Sequence, residues 1–216
     1  YIFSQRLVQQ HTPSEYDIDL RDGKIIVSLS KIEEKKNKDP FGLNQYAREL
    51  AQGLEEELSK EYIIYSDMDG VLTDFDSHFY KSTNGILPSE YEIKYGTDEF
   101  WRHIDNIGIR FWAGMPWMSD GKIYWDYIKK YNPKLLSAPS RDKSSKIGKH
   151  VWVKKHLPGT KLILSPAPQK QRYASPNGIL IDDKEKNIQQ WVEAGGIGIL
   201  HTSAENTIRQ LKKLGL

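Results

Sequence analysis

The sequence contains no cysteine among its 216 residues. Disulfides, thiolate zinc sites and cysteine nucleophiles are therefore excluded. No apolar run approaches the length of a membrane span, and the opening residues YIFSQRLVQQ lack the basic start and apolar stretch of a signal peptide. We therefore expect a cytoplasmic protein without membrane contact, and the length fits one domain with a small extension.

Several common ligand-binding motifs are also missing. No glycine-rich GxxxxGK[ST] loop is present, which argues against a nucleoside triphosphatase of the P-loop type, and the six histidines show no metal-ligand spacing. The stretch DMDGVLTDFDSH is not an EF-hand loop, because its sixth and twelfth places hold Leu72 and His78 instead of Gly and Glu.

Positive charge is concentrated in the middle of the chain. From Lys129 to Arg172 there are twelve Lys or Arg residues and one acid, Asp142, although the formal net charge of the chain is only +2. This asymmetry favours an anionic ligand, and a nucleic acid is one such partner. Lysines that serve only as solvated helix surface are the alternative interpretation.

Residues 1–60 differ in pattern from the rest of the chain. The alternating stretches YDIDL and KIIVSLS on either side of RDG predict a hairpin, and FGLNQYARELAQGLEEEL predicts a helix. We find no catalytic pattern there. The sequence therefore predicts an N-terminal extension over residues 1–60 and a main domain over residues 61–216.

From Tyr62 onward, apolar runs alternate with helical patterns. The runs YIIYS, KLLSA, KLILS, GILI and GIGIL are typical of buried strands. Their alternation with helices predicts an α/β fold, a Rossmann-like parallel sheet with helices on both faces. The segment at about 75–118 is too long for a connecting loop and is predicted to form a small helical cap after the first strand of this sheet.

Polar side chains follow four of the predicted strands. These residues are Asp67, Asp69, Ser137, Lys170, Asp182 and Asp183. Because the carboxyl ends of parallel strands meet at one edge of a sheet, we expect these side chains to converge. Carboxylates without histidine or cysteine suit Mg²⁺, which would offset their mutual repulsion. A carboxylate nucleophile, with a second carboxylate two residues on as acid and base, points to phosphoryl transfer.

Four segments, DMDGVLTD, LLSAPS, QKQRYA and ILIDDK, together resemble the four motifs of the haloacid dehalogenase (HAD) superfamily of phosphohydrolases. DMDGVL, GKHVWVKKHLPG and LIDDK are most similar to its 5'(3')-deoxyribonucleotidase branch, over about Tyr62 to His201. The resemblance implies a Mg²⁺-dependent phosphomonoesterase that forms an aspartyl phosphate and acts on a small phosphate monoester, a (deoxyribo)nucleoside monophosphate. A phosphatase for nucleic-acid ends and a non-catalytic binding module are the alternatives.

The resemblance also implies a role for each polar residue. Asp67 would be the nucleophile, and Asp69 would be the acid and base, with its backbone carbonyl also reaching Mg²⁺. Ser137 would bind the transferring phosphoryl group through its hydroxyl. Asp182 and Asp183 would hold the metal directly or through water, which makes Asp67, Asp69, Asp182 and Asp183 the predicted metal residues.

Two points stay open at the level of the sequence. Lys170 is the predicted phosphate-binding cation, with Arg172 and Lys143 as alternatives. The aromatic residues of the predicted cap, Trp101 and Trp112 among them, either stack on a nucleobase or form the core of the cap.

Overall fold

The structure is a computed structural model that describes Tyr16–Arg21, Lys24–Leu29, Arg48 and Glu49, and residues 61–216. The chain divides into two units, residues 1–58 and residues 59–216. None of the described helices has an apolar stretch that would reach across a lipid bilayer.

The first unit contains the predicted hairpin. Strand β1 (Tyr16–Arg21) pairs antiparallel with β2 (Lys24–Leu29), with Tyr16 opposite Leu29 and Arg21 opposite Lys24. The two residues between these strands, Asp22 and Gly23, lie outside the described residues. Of the predicted helix after the hairpin, Arg48 and Glu49 are helical, and the remainder lies outside the described residues.

The second unit is built on a parallel sheet of five strands. Its strands are β3 (Ile63–Ser66), β4 (Lys134–Ser137), β5 (Leu162–Leu164), β6 (Gly178–Asp182) and β7 (Ile197–Leu200), in the order β5-β4-β3-β6-β7. All neighbouring strands run parallel, and each lies on a predicted apolar run. Strand β6 is buried along its whole length, as expected for a strand covered on both faces. The predicted α/β fold is confirmed.

Eight helices of the second unit are described, four of them in the insertion after β3. The insertion holds α1 (Phe75–Ser82), α2 (Pro88–Tyr95), α3 (Thr97–Ile107) and α4 (Ile109–Ala113). The others are α5 (Gly121–Ile128), α6 (Lys143–His156), α7 (Glu185–Glu193) and α8 (Ala204–Lys213). Two short 3₁₀ helices occupy Lys129–Tyr131 and Ala167–Tyr173. The predicted insertion is therefore helical.

Aromatic side chains form the core of this insertion. Phe79 has no exposed surface and stacks on Phe100 with 4.8 Å between ring centroids. Trp112 of α4 is also buried and contacts Phe75 and Phe111. A Cβ atom on Gly148 would lie 2.4 Å from Trp112 Cβ, so glycine allows α4 and α6 to pack closely.

The order of the strands places the candidate residues at one edge. From β3 the chain moves to β4 and β5 on one side, then returns to β6 and β7 on the other. The crevice outside the carboxyl ends at such a switch point is where open α/β sheets bind ligands. Asp67 follows β3 and Asp182 ends the neighbouring strand β6, so both carboxylates lie at this edge.

Candidate active site

Three carboxylates meet at the ends of β3 and β6. Ligand oxygens of Asp67, Asp182 and Asp183 all lie within 4.8 Å of one another. Asp182 is fully buried and Asp67 is almost so, at 7% exposed. Asn187 of α7 donates to both oxygens of Asp182, at 2.9 and 3.0 Å. Helix α7 therefore fixes the orientation of the carboxylate that ends β6.

Lys170 lies inside this carboxylate group. Its Nζ is 2.8 Å from Asp67 Oδ2 and 2.6 Å from Asp182 Oδ2, and the side chain is 1% exposed. The 3₁₀ helix after β5 carries Lys170 to this position. The two alternative cations are elsewhere, since Lys143 is exposed and exposed Arg172 donates to Gln169. The structure therefore places Lys170 beside the predicted nucleophile.

Gly70 shows why the turn after Asp67 requires glycine. Its φ is +77°, and a Cβ atom there would lie 2.4 Å from Asp183 Oδ2. A side chain at this position would be strained by the backbone and would also displace a candidate metal ligand. The first and last of the four motifs thus pack directly against each other.

Asp69 lies outside the group of three carboxylates. Thr73 Oγ1 donates to Asp69 Oδ1 at 2.9 Å, and Lys149 Nζ lies 2.5 Å from Asp69 Oδ2. Both oxygens of the candidate acid and base are therefore held by residues of this chain. The structure thus joins three of the four predicted metal residues through their side chains, and the role of the Asp69 backbone carbonyl stays a prediction.

Lys149 is a candidate functional residue that the sequence interpretation missed. It has no exposed surface, and its Nζ donates to Ser137 Oγ at 2.8 Å as well as to Asp69. The ring of Trp112 in the insertion lies 5.3 Å from the same nitrogen. One sequence signal was available: Lys149 is three residues before Trp152, which puts both on one face of a helix. The structure shows that this face is buried, and a buried lysine needs a partner.

The electrostatics favour an ionised Asp67. Burial alone would raise the pKa of Asp67, but Lys170 and Lys149 lower it below its usual value. Burial alone would lower the pKa of Lys170, but the carboxylates of Asp67 and Asp182 raise it above its usual value. Asp67 is thus a carboxylate and Lys170 an ammonium at neutral pH, which are the charge states that a nucleophile and a phosphate-binding cation need.

Asp182 and Asp183 are shifted in the opposite direction. Burial raises the pKa of Asp182, and the Asp67 carboxylate adds to the rise while Lys170 opposes it. Burial also raises the pKa of Asp183, against the effect of Lys184. Burial therefore destabilises the ionised form of both side chains, and a bound cation would stabilise it.

The oxygen atoms of the site suit Mg²⁺. Asp183 Oδ2 pairs with Lys184, whereas its buried Oδ1 accepts no hydrogen bond from the part of the chain that the structure describes. A buried carboxylate oxygen normally has a partner. Three convergent carboxylates, one with a free oxygen, are a hard-oxygen donor set of the kind that Mg²⁺ binds. The residues fit the ion.

A cavity of about 280 Å³ lies beside helix α3 and the loop after β4. The residues around it are Asp98, Trp101, Arg102, Asp105, Ser140 and Arg141. Ser140 is three residues beyond Ser137, so the Cα atoms of these two residues lie at most roughly 11 Å apart. Trp101 is 38% exposed, whereas Trp112 is 2% exposed. Trp101 is therefore the one of the two that a ligand could stack on.

The basic segment presents less charge to solvent than its sequence indicates. Lys149 and Lys170 are buried in the candidate site, and Lys129 pairs with Asp126. Exposed cations remain on α6, among them Lys143, Lys146 and Lys154. A nucleic-acid partner for this segment stays a prediction.

Comparisons with known proteins give similar structures only. No protein-family model and no curated protein sequence matches the chain. A hydrolase from Streptococcus pneumoniae TIGR4 is 17% identical, with a TM-score of 0.45, over 71% of this chain and 99% of that one. A predicted phosphatase from Clostridium acetobutylicum is 16% identical, with a TM-score of 0.45, over 71% and 90%.

A HAD family enzyme from Bacteroides thetaiotaomicron, described as a magnesium complex, is also similar in structure. It is 16% identical, with a TM-score of 0.44, over 70% of this chain and 98% of that one. Because these identities and TM-scores are low, the similarities do not assign a function to this chain. The inference about function rests on the strand order and side-chain geometry of the chain itself.

Proposed function

We propose that the protein is a metal-dependent phosphomonoesterase of the HAD type, in which Asp67 attacks phosphorus and forms an aspartyl phosphate. The observation that carries the proposal is the group of Asp67, Asp182 and Asp183 with the Lys170 ammonium between Asp67 and Asp182. An ionised carboxylate at the end of a central strand, beside a buried cation, suits attack on a phosphate dianion.

Each residue of the site has a separate role in the proposed reaction. Lys170 holds Asp67 in position and balances the charge of the phosphoryl group, and Ser137 donates its hydroxyl to a phosphoryl oxygen. Asp69 protonates the leaving oxygen and then takes a proton from the water that hydrolyses the aspartyl phosphate. Asp67, Asp182 and Asp183 would hold Mg²⁺, which when bound supplies positive charge to the phosphoryl oxygens.

The substrate that we propose is a nucleoside monophosphate. Support comes from the resemblance of DMDGVL, GKHVWVKKHLPG and LIDDK to the deoxyribonucleotidase branch. The partly exposed ring of Trp101, beside a cavity that Ser140 also lines, suits stacking on the planar base of a nucleoside leaving group.

Phosphate release from a substrate panel tests the proposal. The panel contains nucleoside monophosphates, sugar phosphates and oligonucleotides phosphorylated at either end, each with Mg²⁺ and with excess chelator. We expect turnover of the mononucleotides in Mg²⁺ only. Faster turnover of the oligonucleotides, with an affinity that falls steeply with salt, would assign the protein to nucleic-acid ends instead. Absence of phosphate release from every substrate would contradict the enzyme proposal.

A further inference from the structure

Behind the candidate nucleophile, two buried hydroxyl groups form a hydrogen-bond chain. Tyr124 Oη in α5 donates to Ser66 Oγ at 3.0 Å, and Ser66 Oγ donates to the backbone carbonyl of Asp67 at 2.9 Å. Tyr124 and Ser66 have no exposed surface. The chain of hydrogen bonds therefore ends on the backbone of Asp67.

One peptide unit connects this hydrogen-bond chain to the Asp67 carboxylate. The carbonyl of Asp67 and the N–H of Met68 belong to the same rigid, planar peptide. The Met68 N–H donates to Asp67 Oδ1 at 2.7 Å, so both ends of this peptide are bonded. Because the unit is planar, the bond from Ser66 to its carbonyl also fixes the direction of its N–H.

The two oxygens of the Asp67 carboxylate are held from different sides. Oδ1 accepts from the Met68 N–H, and Oδ2 pairs with the Lys170 ammonium at 2.8 Å. Lys170 fixes one oxygen through an ion pair, while the chain from Tyr124 and Ser66 fixes the other through the backbone. Rotation of the carboxylate about its Cβ–Cγ bond would break both contacts.

Packing alone does not account for the two hydroxyl groups. Phenylalanine and alanine would place apolar atoms at these buried positions, whereas a buried hydroxyl costs free energy unless it is hydrogen bonded. Burial raises the pKa of Tyr124 far above its usual value; the hydrogen bond to Ser66 opposes the rise and the Asp67 charge adds to it. Tyr124 therefore stays a neutral donor at any working pH.

We propose that Tyr124 and Ser66 are positioning residues for Asp67. They hold the peptide unit between Asp67 and Met68 so that its N–H keeps the carboxylate in one orientation toward phosphorus. The proposal rests on the proposed function, because orientation matters when Asp67 attacks. Neither residue contacts the reacting atoms. Their loss should therefore lower kcat and leave KM unchanged.

Tyr124→Phe, with Tyr127→Phe as its control, tests the proposal. Tyr127 lies on the same helix and donates to the backbone carbonyl of Leu216 at 2.7 Å, so the control also removes one hydrogen-bonded tyrosine hydroxyl. We expect kcat to fall about five- to tenfold in Tyr124→Phe, with unchanged KM and a melting temperature close to that of Tyr127→Phe. An equal kcat in the two variants would overturn the proposal.

Ser66→Ala removes the next member of the chain. We expect it to lower kcat as Tyr124→Phe does. The double variant should be no slower than either single variant, because each substitution interrupts the same hydrogen-bond chain. Losses of kcat that multiply in the double variant would show two independent effects and would contradict a single chain.

Amide hydrogen exchange of Met68, followed by NMR, separates this proposal from the proposed function because it requires no turnover. The Met68 amide should exchange faster in Tyr124→Phe and in Ser66→Ala, and at the wild-type rate in Tyr127→Phe. Unchanged Met68 exchange in the first two variants contradicts the positioning role. A wild-type protein that releases no phosphate, with the expected exchange pattern, contradicts only the phosphatase proposal.

Discussion

The ammonium group of Lys149 lies 2.5 Å from Asp69 Oδ2, although Lys149 has no exposed surface. The same group donates to Ser137 Oγ, so it joins the turn after β3 to the end of β4. Lys170 makes the equivalent connection between Asp67 after β3 and Asp182 at the end of β6. Two buried lysines therefore hold together the edge of the sheet where the candidate site lies.

Lys149→Met should impair both activity and stability. The substitution keeps the length of the side chain but leaves Asp69 Oδ2 and Ser137 Oγ without their cation. We expect kcat/KM to fall by a factor on the order of 100 and the free energy of unfolding to fall by about 1–3 kcal/mol, measured by steady-state kinetics and urea denaturation.

Lys146→Met is the matched control, because Lys146 is an exposed residue of the same helix. Its free energy of unfolding should stay within about 0.5 kcal/mol of the wild-type value. Equal kinetics for the two variants would show that Lys149 has no role in the site.

Trp101 and Trp112 should differ in kind when each is replaced by leucine. Trp101 is partly exposed beside the cavity, so Trp101→Leu should raise KM for a nucleotide about fivefold or more, without raising KM for a small aryl phosphate. Trp112 is buried against Phe75, so Trp112→Leu should lower the free energy of unfolding by about 2 kcal/mol or more. A similar rise of KM on both substrates in Trp101→Leu would remove the stacking role.

The sheet could be predicted from the sequence because its strands are short apolar runs that alternate with helical patterns. Asp67, Asp182 and Asp183 could be expected to meet because each follows a strand of one parallel sheet. Lys149 could not be assigned in the same way, because its importance depends on which face of α6 is buried. Tyr124 and Ser66 are 58 residues apart in the chain, and only the tertiary fold brings their hydroxyl groups into contact.

His201 should make the protein less stable in mild acid. It is buried, and its ring contacts Thr207 Oγ1 at 2.8 Å. Burial lowers the pKa of His201 below its ordinary value, although Asp120 and Asp183 oppose the shift. In the unfolded chain, His201 takes up a proton as the pH falls through about 6.5, whereas in the folded protein it stays neutral until a lower pH. The free energy of unfolding therefore decreases as the pH falls from about 6.5 to the pKa of His201 in the folded protein.

The acid effect is measured by urea denaturation across pH 5–8. His201→Gln should show a smaller loss of stability below about pH 6.5 than the wild-type protein, whereas His150→Gln, at an exposed position, should follow the wild type. The other histidines stay in place in both variants, so the difference isolates His201. Parallel curves for all three proteins would contradict this role of burial.

Removal of one candidate ligand should weaken Mg²⁺ binding before any reaction occurs. Asp183→Asn should lower the affinity for Mg²⁺, because the buried Oδ1 of Asp183 accepts no hydrogen bond from the described residues and would bind the ion. Asp126→Asn, at an exposed carboxylate, is the control. Titration calorimetry gives both affinities without substrate, and equal binding in the two variants would exclude Asp183 as a ligand.

Asp69→Asn should separate the two halves of the reaction. Without its acid and base, turnover should be severely slowed, whereas an aryl phosphate with a good leaving group needs no proton and should still transfer its phosphoryl group. We expect a burst of phenol from Asp69→Asn in rapid-mixing experiments and none from Asp67→Asn. A burst of equal size from both variants would contradict the division of roles.

Mass spectrometry after rapid quench of Asp69→Asn with an activated aryl phosphate tests the central claim most directly. The account predicts a phosphoryl group on the peptide that contains Asp67, attached to that residue, and none in the variant in which Asp67 is also replaced by Asn. A phosphoryl group attached to any other residue, or near-normal turnover by Asp67→Asn, would contradict Asp67 as the nucleophile.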